Sequence, residues 1–523
     1  MLLPLLLVLF KEAVAASLTT YPAPPRAPTS TLFTVSVAQP PAAAQTAVPV
    51  YATASDTRCA QFAGASGAPW CPAGYTQAWA SVWFSGAPIT VTVVWHGPGG
   101  GWGNWSDVAV RPRAAGVVPR RLNDSALSFE LPPAALGAKL SLESAAQMAA
   151  GGGGWPAVVR HSLMLFADPE SLAPEPRQPL PHGTLRFGPG VHDLGGQMPL
   201  PPNVSSVYVA GGAWLRGGFI TTPGSAAAVT ISGRGVISGT DQPFLAGPAG
   251  GAPCHYNGSY CWSLINMDAQ GGGGTAGHVL AGVTLHDPPK YFFRSLAPNV
   301  AVRGVKMLGC WTPNSDGVAV GDGGRVSDTF VRSGDDSIKL FATGVAVADV
   351  TVWQGRNGAV FQLGWWGSHD QRDIDVRRVT VLHAEWKQLD EALAPTYSPN
   401  DAVFDLRGPR RGPGGGTPLT SPGGLYNVSN LTWRDVTLDT PVAGGGLLRM
   451  NLSGAHGAVQ GLRFERLALP TAMHSSVDNR RPDQQIGGFS FVDLRVGGAC
   501  AHGARAAGFD DGAAPADTTF ECT

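Results

Sequence analysis

The sequence predicts an all-β protein in which an N-terminal β-sandwich is followed by a parallel β-helix. Three observations carry this expectation. The 523 residues include 70 glycines and 44 prolines but only 14% charged residues, and long stretches of period 3.6 are hard to find, so turns and strands outweigh helices. Between residues 18 and 166, short runs alternate apolar and polar side chains between Gly/Pro clusters. From residue 278 onward an eight-residue pattern recurs: apolar, spacer, apolar, two spacers, apolar, spacer, apolar.

Taken in order, Met1–Phe10 is almost wholly apolar and is followed by Ala13-Val14-Ala15-Ala16, so residues 1–16 read as a signal peptide with an Ala-x-Ala cleavage site. The run is shorter than the ~20 residues that span a bilayer. Lys11-Glu12 interrupts it, which leaves a misassigned start codon or an uncleaved anchor as the alternatives. The expected location is extracellular, with no membrane contact after cleavage. Residues 17–167 contain alternating runs such as Thr31–Val37 and Ile89–Trp95, which favour antiparallel strands in a sandwich. Residues 168–182 hold five prolines without periodicity and read as a linker.

Residues 183–523 form the expected β-helix. The pattern begins at His278, Val300, Gly324, Val345, Ile374, Leu431, Leu462 and Phe489. Most starts lie 21–31 residues apart, with one gap of 57 that holds the Gly/Pro/Arg run Arg407–Gly416, read as a surface loop. His278 breaks the apolar rule at the first position, and the repeat at Gly324 is the weakest. A period in the twenties indicates a solenoid. Leucine-rich repeats share the period but need a Leu/Asn signature that is missing. Ser206–Val209 and Val229–Val236 read as earlier, less regular turns.

Two acidic motifs fall on consecutive turns: Asn314-Ser315-Asp316-Gly317 and Gly334-Asp335-Asp336-Ser337-Ile338-Lys339. Counting back from the repeat starts places Asp316, the Asp335/Asp336 pair and then Trp365-Trp366 in one column. Parallel strands lie about 4.8 Å apart, so these groups should form one patch. Crowded carboxylates cannot all ionise freely, so one pKa should rise and supply a protonated acid beside ionised partners. Adjacent residues on a strand face opposite ways, so Asp335 and Asp336 can share a site only on a turn or bulge. The Trp pair would offer sugar rings a flat surface, or would belong to the core. Lys339 and Gln362 are candidate substrate-binding positions, and Lys339 reads equally as a solvated charge. Each Asp taken singly reads as turn chemistry, and a calcium site is a further reading of the cluster.

Other chemistries find less support. A net charge of −1 suggests no nucleic-acid partner. His255, His286, His369 and His383 have no Ser or Cys motif beside them. The Gly-rich runs Gly151–Gly154 and Gly271–Gly274 lack the features of a phosphate loop. The seven cysteines suggest the pairs Cys59/Cys71, Cys254/Cys261 and Cys500/Cys522 with Cys310 left over, rather than a metal site. Seven sequons, at Asn104, Asn123, Asn203, Asn257, Asn427, Asn430 and Asn451, fit an exported chain. No cofactor or metal is called for, and a monomer is expected.

The two acidic motifs, with Gly344–Trp353, Phe361–Trp365 and Val379–His383 after them, resemble the active-site region of glycoside hydrolase family 49, the endo-dextranases and isopullulanase. Weaker likeness occurs at Phe187–Val191, Gly233–Gly239 and Val108–Pro112. The resemblance implies a sandwich joined to a right-handed parallel β-helix, and internal hydrolysis of an α-glucan with inversion. It also implies that Asp335 is the general acid, with Asp316 and Asp336 activating water. The polygalacturonases share the carboxylate arrangement, but their downstream Gly-His-Gly and Arg-x-Lys have no counterpart in the matching place. The expectation is a secreted endo-hydrolase of a dextran- or pullulan-like glucan. The alternatives are a polygalacturonase-like hydrolase, a calcium-dependent polyuronate lyase on the same fold, and a non-catalytic polysaccharide-binding protein.

Overall fold

The computed structural model describes residues 15–42, 44–59, 74–149, 158–222, 228–242, 263–267, 276–312, 314–364, 370–386, 401–407, 426–452, 456–478, 484–510, 514–515 and 517–523. Most of the leader, the Trp365-Trp366 pair, nearly all of the Arg407–Gly416 run, and the side chains needed to judge Cys59/Cys71 and Cys254/Cys261 lie outside these residues. Cys500 and Cys522 do form a disulfide, and Cys310 is a free thiol.

Among the described residues of the N-terminal part, two larger sheets face each other. One has five strands in the order Thr46–Val48, Phe33–Ala38, Ile89–Trp95, Ala126–Leu131 and Arg120–Arg121, all antiparallel. The other has six and departs from the antiparallel expectation: Thr76–Ser85 and His161–Pro169 run parallel over nine residue pairs. Burial on both faces explains this central pair. Ala78, Ala80, Val82, Leu163, Leu165 and Ala167 point into the sandwich core. The alternate residues Trp79, Met164 and Phe166 pack against Trp214, Leu308, Phe330 and Trp353 of the solenoid. His161–Pro169 also carries the strand two residues into the stretch read as a linker.

Among the described residues, the solenoid is one 30-stranded sheet system whose first strand is Thr184–Phe187. The eight repeats stack in register, with second positions pairing in the series Val279, Ala301, Arg325, Ala346, Asp375, Thr432, Arg463 and Ser490. Apolar positions point inward: Val345, Val347, Val350 and Val352 are buried while Asp349 is exposed. Towards the C-terminal end, Trp433, Phe464, Phe491 and Phe520 make a stacked column with centroids 4.7–5.2 Å apart. His278, the apolar-rule exception, is buried and its Nδ1 accepts from Val229 N at 2.9 Å, capping the neighbouring turn.

The corners have a conformational rule of their own. The residue before each repeat (Gly277, Asn299, Gly323, Gly344, Asp373, Asn430, Gly461, Gly488) is left-handed. So is its fifth residue (Gly282, Gly304, Asp328, Asp349, Arg378, Asp435, Arg466, Asp493), and φ across both sets runs from 48° to 85°. Gly, Asn and Asp tolerate this region best. The two arginines are held by paired hydrogen bonds to the Asp one turn earlier, Arg378 to Asp349 at 2.6 and 2.7 Å and Arg466 to Asp435 at 2.6 and 3.0 Å. Asp349→Val should therefore lose roughly 1–2 kcal/mol of stability through left-handed strain, and Asp349→Gly much less. Thermal melts of the two variants check this, and equal melting would contradict it.

Candidate active site

The solenoid register brings the three aspartates together. Val318 pairs with Ile338 and Ile338 with Phe361, so Asp316 and Asp336, each two residues ahead of its strand, stack on adjacent rungs. The third rung presents Ala359 there, whose N–H donates to Asp336 Oδ1 at 2.9 Å. This corrects the expected Asp–Asp–Trp column. Counting back from the repeat start assumed turns of equal length, but more chain separates Phe361–Leu363 from the next repeat at Ile374.

Asp335 and Asp336 lie on the bend between strands Phe330–Ser333 and Ile338–Lys339, the turn that two adjacent functional side chains require. Ser333 Oγ and Gln354 Nε2 donate to Asp335 O at 2.8 and 3.0 Å, and Ser337 Oγ donates to Gln354 Oε1 at 2.6 Å. Gly317 and Gly358 let neighbouring turns close on the site. A Cβ on Gly317 would sit 2.2 Å from Ser337 O, and one on Gly358, at φ +83°, 2.4 Å from Asp336 N.

Carboxylate oxygens of Asp316, Asp335 and Asp336 all lie within 4.8 Å of one another. Lys339 Nζ sits 2.7 Å from Asp316 Oδ2 and 2.5 Å from Asp336 Oδ2. Lys339 is thus neither a solvated charge nor positioned first for sugar hydroxyls. It is 3% exposed, and it is the counter-ion of the cluster. Gln362, one rung further, is also buried, with its Nε2 donating to Leu363 O at 2.8 Å, which argues against the expected direct sugar contact.

Asp335 is held differently. Its Oδ1 accepts from Asp336 N at 2.9 Å, and its Oδ2 from Asn357 Nδ2 at 2.5 Å, with Asn314 Nδ2 at 3.5 Å. Burial and then the Asp336 charge push its pKa up to about 7, against the opposing pull of Lys339. Burial also raises Asp316 well above the usual carboxylate range, with Lys339 opposing and the other two carboxylates adding. Its Oδ1 is a buried acceptor with no hydrogen-bond partner among the described residues. Lys339 is raised by its carboxylate neighbours against desolvation, while burial lowers nearby Lys290 to about 8. All three aspartates are largely buried, and Asp335 borders the cavity beside the cluster.

Asn357, Asn314, Gln354 and Lys290 were not picked out as site residues from sequence. Asn357-Gly358 reads as an ordinary turn signal, and nothing local marks it as a partner of a carboxylate 22 residues away. His383 and His286 lie where the sandwich meets the solenoid. His383 Nε2 is 2.7 Å from Glu143 Oε1, and His286 Nδ1 is 2.9 Å from Ser238 Oγ. The three carboxylates could in principle hold a divalent cation, but Lys339 already places a positive charge between two of them.

Fold and site together define a class: a parallel β-helix with carboxylates clustered on adjacent turns, an arrangement suited to cleaving glycosidic bonds. Known proteins narrow it. The chain is 27% identical to a dextranase of Arthrobacter globiformis over 267 residues, 44% of this chain and 41% of that one. It is 27% identical to the isopullulanase of Aspergillus niger over 350 residues, 59% and 57% of the two chains. A dextranase of Talaromyces minioluteus matches at 23% over 340 residues, 56% and 55%. The chain thus spans about half the length of these curated relatives. Dex49A from Penicillium minioluteum shares the fold with a TM-score of 0.73 at 18% identity, over 96% of each chain. No family model matches the chain. The chain is thus similar in sequence to dextranases and an isopullulanase, and in fold to Dex49A.

Proposed function

We propose that the protein is a secreted endo-hydrolase of α-glucans, with Asp335 as general acid and Asp316 and Asp336 as the groups that activate water. The observation that carries this reading is the cluster itself: three carboxylates within 4.8 Å on adjacent turns, one of them raised to about 7 and two sharing a buried lysine. Asp335 would protonate the leaving oxygen. Asp316 Oδ1, without a hydrogen-bond partner among the described residues, is the acceptor suited to an attacking water. Lys339, bonded to both Asp316 and Asp336, would hold the two side chains in place. The relatives that carry the name dextranase or isopullulanase supply the substrate class. The Cys500–Cys522 disulfide favours action outside the cell, and no helix among the described residues is long and apolar enough to cross a membrane.

Stereochemistry sharpens the test. Inverting enzymes commonly separate their carboxyl groups by roughly 6.5–9.5 Å, and retaining ones by about 5–5.5 Å. The oxygens here lie within 4.8 Å of one another, closer than the inverting range, and Lys339 bonds both Asp316 and Asp336. The family resemblance nevertheless implies inversion, with water approaching from the Asp316 side. The protein should release reducing ends from dextran or pullulan, with β-anomers appearing first by proton NMR, and chelator should leave the rate unchanged. Initial α-anomers would overturn inversion. An ultraviolet-absorbing product from polygalacturonate that chelator abolishes would instead favour the lyase.

The pH profile follows from Asp335. A general acid must carry its proton, and Asp335 loses it as pH rises through about 7. Activity on the glucan should therefore fall on the alkaline side near that value. A rate that stays flat well above pH 7 would remove Asp335 from the role.

A further inference from the structure

The acid group opens onto a cavity that the water-activating groups do not share. About 170 Å³ in volume, it is lined by Trp311, Asn314, Asp335, Arg356, Asn357 and Glu385 among others, and by neither Asp316 nor Asp336. The side of the scissile bond nearest the acid and farthest from the base is the leaving-group side. The cavity falls below the roughly 300–1,000 Å³ of drug-sized sites, so it suits one sugar ring.

Its far wall depends on the N-terminal sandwich. Tyr75, just ahead of the sandwich strand Thr76–Ser85, packs with Val158 and Trp311, and its ring centroid lies 5.5 Å from the Arg356 guanidinium carbon. Tyr75 is fixed in turn by Ser55, with Tyr75 N donating to Ser55 Oγ at 3.0 Å and Ser55 N to Tyr75 O at 2.9 Å. Glu385 Oε1 accepts from Trp353 Nε1 at 2.8 Å and lies 3.6 Å from Arg332, which donates to Ser162 Oγ of the sandwich at 2.7 Å. A cation and an anion therefore face one small cavity, which suits neutral hydroxyls better than a uronate carboxylate. Arginine offers them several fixed donors.

We propose that this cavity binds the first neutral hexosyl unit on the leaving-group side, that Arg356 is its specificity-determining residue, and that Tyr75 of the sandwich positions Arg356. The proposal rests on the hydrolase reading above and gives the N-terminal sandwich a direct part in substrate selection.

The test uses the full chain with two substrates. Dextran has a sugar as leaving group, whereas nitrophenyl α-isomaltotrioside has an aryl group that needs no hydroxyl contacts. Arg356→Gln should raise KM for dextran about 10- to 100-fold, the size of a lost charge-assisted hydrogen bond, while kinetics on the aryl glycoside stay close to the parent's. Arg356→Lys keeps the charge without the planar fork and should show the same split to a lesser degree. Tyr75→Leu should raise KM for dextran alone, and should add nothing further in the Arg356→Gln background, as expected of residues acting as a unit. Unchanged KM for dextran, or equal losses on both substrates, would overturn the assignment. A parent protein inactive on both dextran and pullulan would instead reject the hydrolase reading, and this subsite with it.

Discussion

Asp335→Asn should fold normally and lose about 10²–10⁴ of kcat on dextran or pullulan, the usual contribution of a positioned general acid. The amide keeps the shape and an oxygen that can accept from Asn357, so the bend held by Ser333 and Gln354 should survive. Stability should move the other way. The carboxyl is raised from 3.8 to about 7 in the folded state. The folded protein then binds this proton more tightly than the unfolded chain, so stability declines as pH rises from about 3.8 to 7 and the penalty persists above. Asn has no charge to bury, so the variant should melt higher than the parent at pH 8 and more nearly equal to it at low pH. Melts at both pH values, beside steady-state rates, check the pair of effects. Near-normal hydrolysis would refute the acid assignment.

Lys339→Met should be the most damaging substitution for stability, at about 3–5 kcal/mol, because it strips the partner from a buried charge pair. Asp316 Oδ2 and Asp336 Oδ2 lie 2.7 and 2.5 Å from Nζ, in a site with little solvent. Without the ammonium, Asp316 loses the charge that opposes its burial, so the proposed water-activating role should be lost along with the stability. Asp316→Asn added to Lys339→Met removes one uncompensated charge and should restore part of the melting temperature without restoring activity. Chemical denaturation of the single and double variants measures this. If Lys339 served mainly as a sugar ligand, Lys339→Met would instead raise KM and melt like the parent.

The solenoid was legible because its chemistry is periodic. The apolar positions that must point inward recur at fixed offsets, and all eight starts stack in one register. The left-handed corners were visible only as scattered Gly, Asn and Asp. Arg378 and Arg466 hid the rule, because their tolerance comes from aspartates on the preceding turn. The proximity of Asp316, Asp335 and Asp336 followed from the repeat count. The Trp column did not, since turn length varies and the rung supplies Ala359. Lys339 looked ambiguous because a single lysine carries no mark of burial, and its role emerges only when two rungs close around Nζ. The parallel pair of sandwich strands, and the contacts of Tyr75 with Arg356 and of Ser162 with Arg332 beside the cavity, join residues far apart in the sequence, which no local pattern encodes.

The most direct measurement is a crystal structure of Asp335→Asn soaked with an isomalto-oligosaccharide. The scissile glycosidic oxygen should lie within hydrogen-bonding distance of residue 335, with Asp316 Oδ1 facing the opposite side of the anomeric carbon through a water. A sugar chain bound elsewhere, or residues 316 and 335 on the same face of the ring, would contradict the account.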